Sequence, residues 1–193
     1  MEASIIIPTL NRHEIILQTL KYFENQTDSN FEIILVDQSD ELLNFKKLPK
    51  KLAKKIKYIQ LTLKSAANAR NVGAQQAKGD ILIFIDDDVQ FDENFIESHI
   101  KSYYGNISAV QGFVRQMRDI REGLKNRFRV SNFFLTPVNK YKPLEKQKVN
   151  DLIGCNFSVK RKIFLKLGGM DLNYIGNGYF EESDFAYRLV KNN

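Results

Sequence analysis

GDILIFIDDDVQ, residues 79–90, decides the fold. Ile81 to Ile85 are consecutive apolar residues, and they run directly into the carboxylates Asp86, Asp87 and Asp88 with no basic residue interleaved. A short apolar run bounded by a turn former reads as a strand buried on both faces, as in a parallel sheet. Open α/β sheets bind ligands outside the carboxyl ends of their strands. The acids therefore fall at a ligand-binding edge, which raises the question of what offsets their mutual repulsion.

The pattern repeats outward from this strand. Ala3 to Pro8 (ASIIIP), Phe31 to Asp37 (FEIILVD) and Lys57 to Leu61 (KYIQL) are the preceding strand candidates. Between the first two, Ile15, Ile16, Thr19, Leu20 and Phe23 recur at helical spacing, and Asn11 with Glu14 resembles a capping box. Ser65 to Ala77 reads as an Ala-rich helix stopped by Gly79. Strands alternating with helices predict an α/β fold with a mostly parallel, Rossmann-like sheet covered on both faces. Further on, Glu93–Tyr104 reads as a helix, Ala109–Arg115 and Gly154–Lys160 as strands, and Arg161–Leu167 and Glu181–Lys191 as helices. The basic stretch 116–150 has no clean periodicity and is expected to be a mobile loop with a helical piece.

With 193 residues and 43% hydrophobic content, the chain has enough material for one sizeable core, so a single domain is expected. No segment is long and apolar enough to span a bilayer, and the Glu2-containing start does not read as a secretory signal. With its single cysteine, Cys155, the chain forms no internal disulfide, and a cytoplasmic location is expected. The net charge of +6 is concentrated in two stretches, one holding Lys46, Lys47, Lys50, Lys51, Lys54, Lys55, Lys57 and Lys64, the other running from Arg118 to Lys148. A solvated face is the ordinary reading, and peripheral contact with the inner face of a membrane or with an anionic substrate is the sharper one. No nucleic-acid partner is expected, because no RNA- or DNA-binding module with stacking aromatics at set positions accompanies the charge.

Carboxylates two residues apart can hold a hard divalent cation. Mg²⁺ takes one or two protein carboxylates and leaves its other positions to water and phosphate oxygens, and Mn²⁺ prefers the same ligands. Alternation along an extended chain would put Asp86 and Asp88 on one side and Asp87 on the other. An exposed acidic turn is the plain alternative.

Company for the triplet comes from four blocks in order. SIIIPTLNR (residues 4–12), ILVDQSD (34–40), ANARNVGAQQAKGDILIFIDDD (67–88) and GCNFSVKRKIFLKLGGMDLNYIGNGYFEESDFAYRL (154–189) together resemble a family 2 glycosyltransferase, a nucleotide-sugar enzyme of the GT-A fold. The resemblance covers nearly the whole chain. It implies a nucleotide-sugar-binding part over residues 1–115 and an acceptor-side part over 116–193. By position, Pro8, Thr9 and Arg12 would line the base and ribose pocket, and Asp37 would accept a hydrogen bond from the base edge. Gln38 stands where the family usually has a second Asp. Arg70 and Asn71 match an ARN element near the nucleotide.

Asp88 would be the main metal ligand, with Asp86 and Asp87 shared between ribose and metal shell, and Mn²⁺ or Mg²⁺ the implied cofactor. The implied reaction moves a sugar from a nucleoside-diphosphate sugar to a saccharide, lipid-linked or other hydroxyl acceptor with inversion. Glu181 or Glu182 would then be the base that takes the acceptor proton. Glu182 is followed by Phe185, Ala186 and Leu189 at i+3, i+4 and i+7, which places it on the core-facing stripe and favours it, with Glu181 off that stripe.

Other nucleotide and metal enzymes fit less well. Pro8-Thr9-Leu10-Asn11 replaces the G-x-G-x-x-G of a dinucleotide fold, and no glycine-lysine loop of a P-loop NTPase is present. His13 and His99, the two histidines, are far apart for zinc and read as surface or half-buried helix residues. A catalytically silent sugar-nucleotide-binding or scaffold module is the non-enzyme alternative. The chain ends just after the helix carrying the expected base, where family members usually continue, so it reads as a truncated or minimal member. A later histidine that often completes the family's metal shell has no counterpart after His99.

Overall fold

A computed structural model describes residues 2–114, 149–174 and 180–192. Strands β1 (Ala3–Thr9), β2 (Phe31–Asp37), β3 (Ile56–Gln60), β4 (Ile81–Ile85), β5 (Ala109–Gln111) and β6 (Asn156–Lys160) form one sheet in the order β3-β2-β1-β4-β6-β5. β1 pairs in parallel with β2 and β4, and β2 with β3. β6 runs antiparallel to both β4 and β5. Every residue of β1 and β4 is buried, as expected of strands with neighbours on both edges and helices on both faces.

Side-chain alternation sorts these strands into two cores. Ile5, Ile7, Ile33, Leu35, Ile81, Ile83 and Ile85 pack against Ile16, Leu17 and Leu20 of α1 (His13–Lys21) and Phe95 and Ile96 of α4 (Phe95–Lys101). Ile6, Ile34, Val36, Leu82, Phe84 and Phe157 pack on the other face. There they meet α3 (Ala66–Gln76), α5 (Arg161–Lys166) and α6 (Glu181–Lys191) through Ala67, Ala74, Phe164, Phe185 and Leu189. Each isoleucine that loses all its exposure adds about 1.5–3 kcal/mol. The expectation of one α/β domain with a mostly parallel, doubly covered sheet holds.

Local details differ from the expectation. Asn11 does not cap α1: it takes a left-handed backbone, φ 53°, and its N–H donates to Ser39 Oγ at 2.7 Å. Arg12 occupies the cap position without a side-chain bond, and Glu14 pairs with Lys47 at 2.6 Å. Ser65 does cap α3, accepting from the Asn68 N–H. Gly79 serves β4 rather than the end of α3. A side chain there would meet the backbone of Glu2, Ala3 and Ser4 at 2.8 Å, so the lead-in to β4 can lie against β1 only without one.

The lysine stretch holds a 3₁₀ turn, Phe45–Lys47, and the short helix α2 (Lys50–Ala53), which sequence periodicity did not reveal. Acids and carbonyls from elsewhere serve several of its lysines. Lys64 pairs with Asp40, Lys55 donates to the Ser29 carbonyl, and Lys57 donates to the Gln76 side chain. The second basic stretch, Arg118 to Lys148, with its expected mobile loop, lies outside the described residues. Among the described residues no helix is long and apolar enough to cross a membrane.

Candidate functional site

Pro8 lies past the last β1–β4 pair, Ile6 with Phe84, where β1 keeps only β2 as a neighbour. A strand there can spare the N–H that proline lacks. Beyond this point the carboxyl ends of β1 and β4 part, and a cavity of about 650 Å³ opens between them, within the usual range for small-molecule sites. Its lining brings together Pro8, Thr9, Arg12, Arg70, Asp86, Asp87, Asp88, Glu181 and Glu182, from positions far apart in sequence.

The chain turns as it leaves β4, so the alternation expected of the three acids is lost and each meets different partners. Asp86 meets Arg70 Nη2 at 3.0 Å. Asp87 is nearly buried, accepts from Thr9 Oγ1 at 2.6 Å and forms an ion pair with Arg12 Nη1 at 2.8 Å. Asp88 is half exposed and accepts from Arg12 Nη2 at 2.7 Å. Arg12 therefore straddles Asp87 and Asp88, while Asp86 belongs to Arg70. From beneath, Thr19 of α1 donates to the Asp87 carbonyl at 2.7 Å and pins the turn.

Burial pushes the carboxyls of Asp86 and Asp87 above the ordinary range, against the pull of Arg70 on one and of Thr9 and Arg12 on the other; neighbouring acids add to the rise. The Arg12 guanidinium is held more firmly charged by its bond to Asp88. Among the described residues no three acidic, histidine or cysteine side chains converge as a metal cage. Mg²⁺ and Mn²⁺ need none: hard oxygen donors on Asp86 and Asp88, lining one cleft with room for phosphate oxygens, suit either ion.

On the opposite wall, Phe180 takes a left-handed backbone, φ 77°, and turns the chain into α6. The buried residues of this helix are Glu181, Phe185, Ala186 and Leu189, which corrects the expected stripe. Glu181 precedes Phe185 by four and Leu189 by eight residues, so it lies on the packed face. Its side chain is 1% exposed and binds Arg70 Nη1 at 2.6 Å. Glu182 lies at the rim, 14% exposed, with Oε1 3.4 Å from Arg70 Nη2. Burial, opposed by Arg70 and reinforced by the charge of Glu181, pushes the Glu182 carboxyl up to about 7. Such a carboxyl can exchange a proton near neutral pH, as a general base must. Asp184 and Arg188 are structural, as expected: Arg188 binds Asp184 and donates to the carbonyls of Leu167 and Gly169.

Asp37 and Asn71 lie behind the cleft. Asp37 is wholly buried, and its carboxylate is taken up by the Ser39 N–H, Tyr58 Oη and His13 Nε2. Its neighbour Gln38 reaches the wall, with Oε1 accepting the Ser65 N–H at 2.6 Å. Asn71 pairs in both directions with the Met170 backbone, tying α3 to the turn after α5.

Sequence reasoning missed Gly154, read only as the start of a strand. A side chain at this position would strike the Glu182 carboxylate and Arg70 Nη2, so the acid and the guanidinium fill its space. Leu152 and Ile153 beside it also line the cleft. A lone glycine carries no sequence signal for such a contact. His99 is wholly buried rather than at the surface; it bonds Ser158 Oγ and Asn156 Oδ1, and burial lowers it to about 4, so it is neutral at physiological pH.

Known proteins resemble this chain in sequence and in fold. The description Glycosyl transferase family 2 matches residues 4–168. An uncharacterized glycosyltransferase of Haemophilus influenzae is 29% identical over 201 residues, covering 97% of this chain and 62% of its own length. A solved structure of Staphylococcus aureus TarS residues 1–349 with UDP-GlcNAc superposes with a TM-score of 0.67 at 18% identity, over 98% of this chain and 53% of that one. The mannosyltransferase PcManGT from Pyrobaculum calidifontis, with GDP-Man and Mn²⁺, gives 0.63 at 18% identity, over 88% and 47%. At that identity the two structures establish a shared fold. This chain spans 62% of the Haemophilus protein and about half of the two solved chains.

Proposed function

This chain belongs to glycosyl transferase family 2, and from that premise we propose that it transfers a sugar from a nucleoside-diphosphate sugar to an acceptor hydroxyl with inversion at the anomeric carbon. The observation that carries the reading is the pairing across one cleft of the acidic turn 86–88 with a carboxyl poised at about 7, Glu182.

Glu182 accepts the proton of the acceptor hydroxyl as its oxygen bonds to the anomeric carbon. On the opposite face the bond from that carbon to the diphosphate oxygen breaks, and the electron pair leaves with the nucleotide. One such displacement inverts the centre. Pro8 and Thr9 form the floor beside the nucleoside, Asp87 and Asp86 face the ribose, and Gln38 rather than Asp37 presents itself to the base. Asp88, with Asp86 as second carboxylate, would hold Mn²⁺ or Mg²⁺, which supplies charge neutralisation for the diphosphate. Arg12 now balances Asp87 and Asp88, and it is placed to turn toward the phosphates once that balance changes.

The bound donors of the solved relatives, UDP-GlcNAc and GDP-Man, are the first to try. A saccharide or lipid-linked acceptor on the cytoplasmic side suits the exposed Lys50, Lys51 and Lys54, which offer a basic contact to an anionic surface.

The test is thermal unfolding with UDP or GDP and Mn²⁺. A ligand at a hundred times its Kd stabilises by about 2.7 kcal/mol, which for a chain of this size is a shift of roughly 5–10 °C. The shift should require the metal and shrink in Asp88→Asn. An undiminished metal-dependent shift in that variant would remove Asp88 from the site. Binding without nucleotide release from either sugar donor would favour the silent module.

A further inference from the structure

Arg70 has no part in the transfer chemistry just described, although its setting is demanding. It projects from α3 with a side chain only 5% exposed, and its guanidinium is surrounded by acids from two other elements. Nη1 lies 2.6 Å from Glu181 Oε1, and Nη2 lies 3.0 Å from Asp86 Oδ1 and 3.4 Å from Glu182 Oε1. Nε and Glu181 Oε2, both buried, have no hydrogen-bond partner among the described residues. A buried charge needs its partners, so this fork cannot turn to a phosphate without stranding Glu181.

Two features make the arrangement directional. Nη2 serves Asp86 on the donor wall and Glu182 on the acceptor wall at once. Gly154 backs Glu182 and Nη2 from another side, with no room for a methyl group between them. Glu182 is thus held between a guanidinium and a bare backbone, while Glu181 anchors the guanidinium from within the core.

We propose that Arg70 is a positioning residue and not a nucleotide ligand: with Gly154 it clamps Glu182 at a fixed distance from the donor wall, so that base and donor meet in register. The proposal rests on the transfer reading of the cleft. Its first readout is nucleotide release from UDP-GlcNAc or GDP-mannose with Mn²⁺, water replacing the acceptor. Arg70→Gln is combined with Glu181→Gln so that Glu181, the most deeply buried of the three acids, is not left as an unpaired charge.

The double variant should lose ~100-fold in kcat with KM within ~3-fold of wild type, the loss expected when a reacting group is misplaced by about 1 Å. Gly154→Ala removes no charge but its methyl group displaces the Glu182 carboxylate from Arg70 Nη2, and it should show the same split. A raised KM with kcat intact would make Arg70 a donor ligand and overturn the proposal. If the double variant fails to fold, Gly154→Ala decides, and a wild-type kcat there overturns it equally.

A second readout needs no turnover. Labelling of Glu182 by a water-soluble carbodiimide, mapped by mass spectrometry, should be several-fold faster once the clamp is removed in either variant. Equal labelling in wild type and both variants would refute the clamp. Failure of the wild type to release nucleotide, with labelling still changed, would refute the transfer reading alone.

Discussion

Asp86, Asp87 and Asp88 are consecutive, yet they sit in three different environments, because the partners that distinguish them come from residues 9, 12 and 70. The run of acids itself made the strand end a candidate site, and the structure places all three acids in the cleft. The assignment of each acid was not legible, since no local pattern announces that Arg12 will straddle two of them. The same holds for Glu181 and Glu182. Helical spacing identified the packed face but missed that it begins one residue earlier, at Glu181, leaving Glu182 at the rim. The raised Glu182 carboxyl has consequences of opposite sign for activity and stability. Its native value of about 7 exceeds the ordinary 4.5, so between those pH values the folded state binds more protons than the unfolded one. Stability from this group therefore falls as pH rises through that window, while the ionised base that transfer needs is gained. We predict that nucleotide release climbs through an inflection near 7 while the unfolding midpoint declines over the same range. Glu182→Gln should flatten the decline. A release rate independent of pH from 5 to 8 would remove Glu182 as the base.

At the scale of elements, the strands were the most readable feature. Apolar, β-branched runs with two covered faces leave little choice, and β2 and β4 span the residues expected. Contacts between elements were the least readable. Asn11 satisfies the pattern of a capping box, but its N–H is claimed by Ser39, twenty-eight residues away, and the left-handed turn this requires carries Arg12 into the cleft. Gly79 resembles a helix stop, while its necessity comes from the backbone of β1 at 2.8 Å. Gly79→Ala should therefore destabilise the fold by about 1–3 kcal/mol, as overpacking against an unyielding backbone does. Differential scanning calorimetry would register this as a fall of several degrees in Tm. A neutral result would show that the β1–β4 contact has slack. His99 gives a parallel case: two histidines far apart ruled against zinc, but nothing in the sequence showed that one of them would hold α4 to Ser158 and Asn156 of β6.

For the whole molecule, the antiparallel β6 is the decisive connection. By pairing with β4 from Ile81 to Ile85 it brings residues 152–154 to the edge where the acids lie, and α6 packs on the same face. The donor half and the acceptor half implied by resemblance thus share one sheet and one cleft. The four blocks were legible in order, and residues of each line the cleft, Pro8, Gln38, Asp86 and Glu182 among them. Asp37 and Asn71 show what position-by-position inference leaves out: Asp37 accepts from Tyr58 Oη, and Asn71 donates to the Met170 carbonyl, contacts that the matched positions do not announce. The central claim is that Glu182 is the base and Glu181 its buried support. Its most direct test is to measure, for Glu182→Gln and Glu181→Gln, both metal-dependent donor binding by calorimetry and nucleotide release from a turned-over sugar donor. We predict that Glu182→Gln binds donor within a few-fold of wild type and loses release by ~100-fold or more, as removal of a general base does, while Glu181→Gln retains more activity. Release surviving in Glu182→Gln but lost in Glu181→Gln would contradict it.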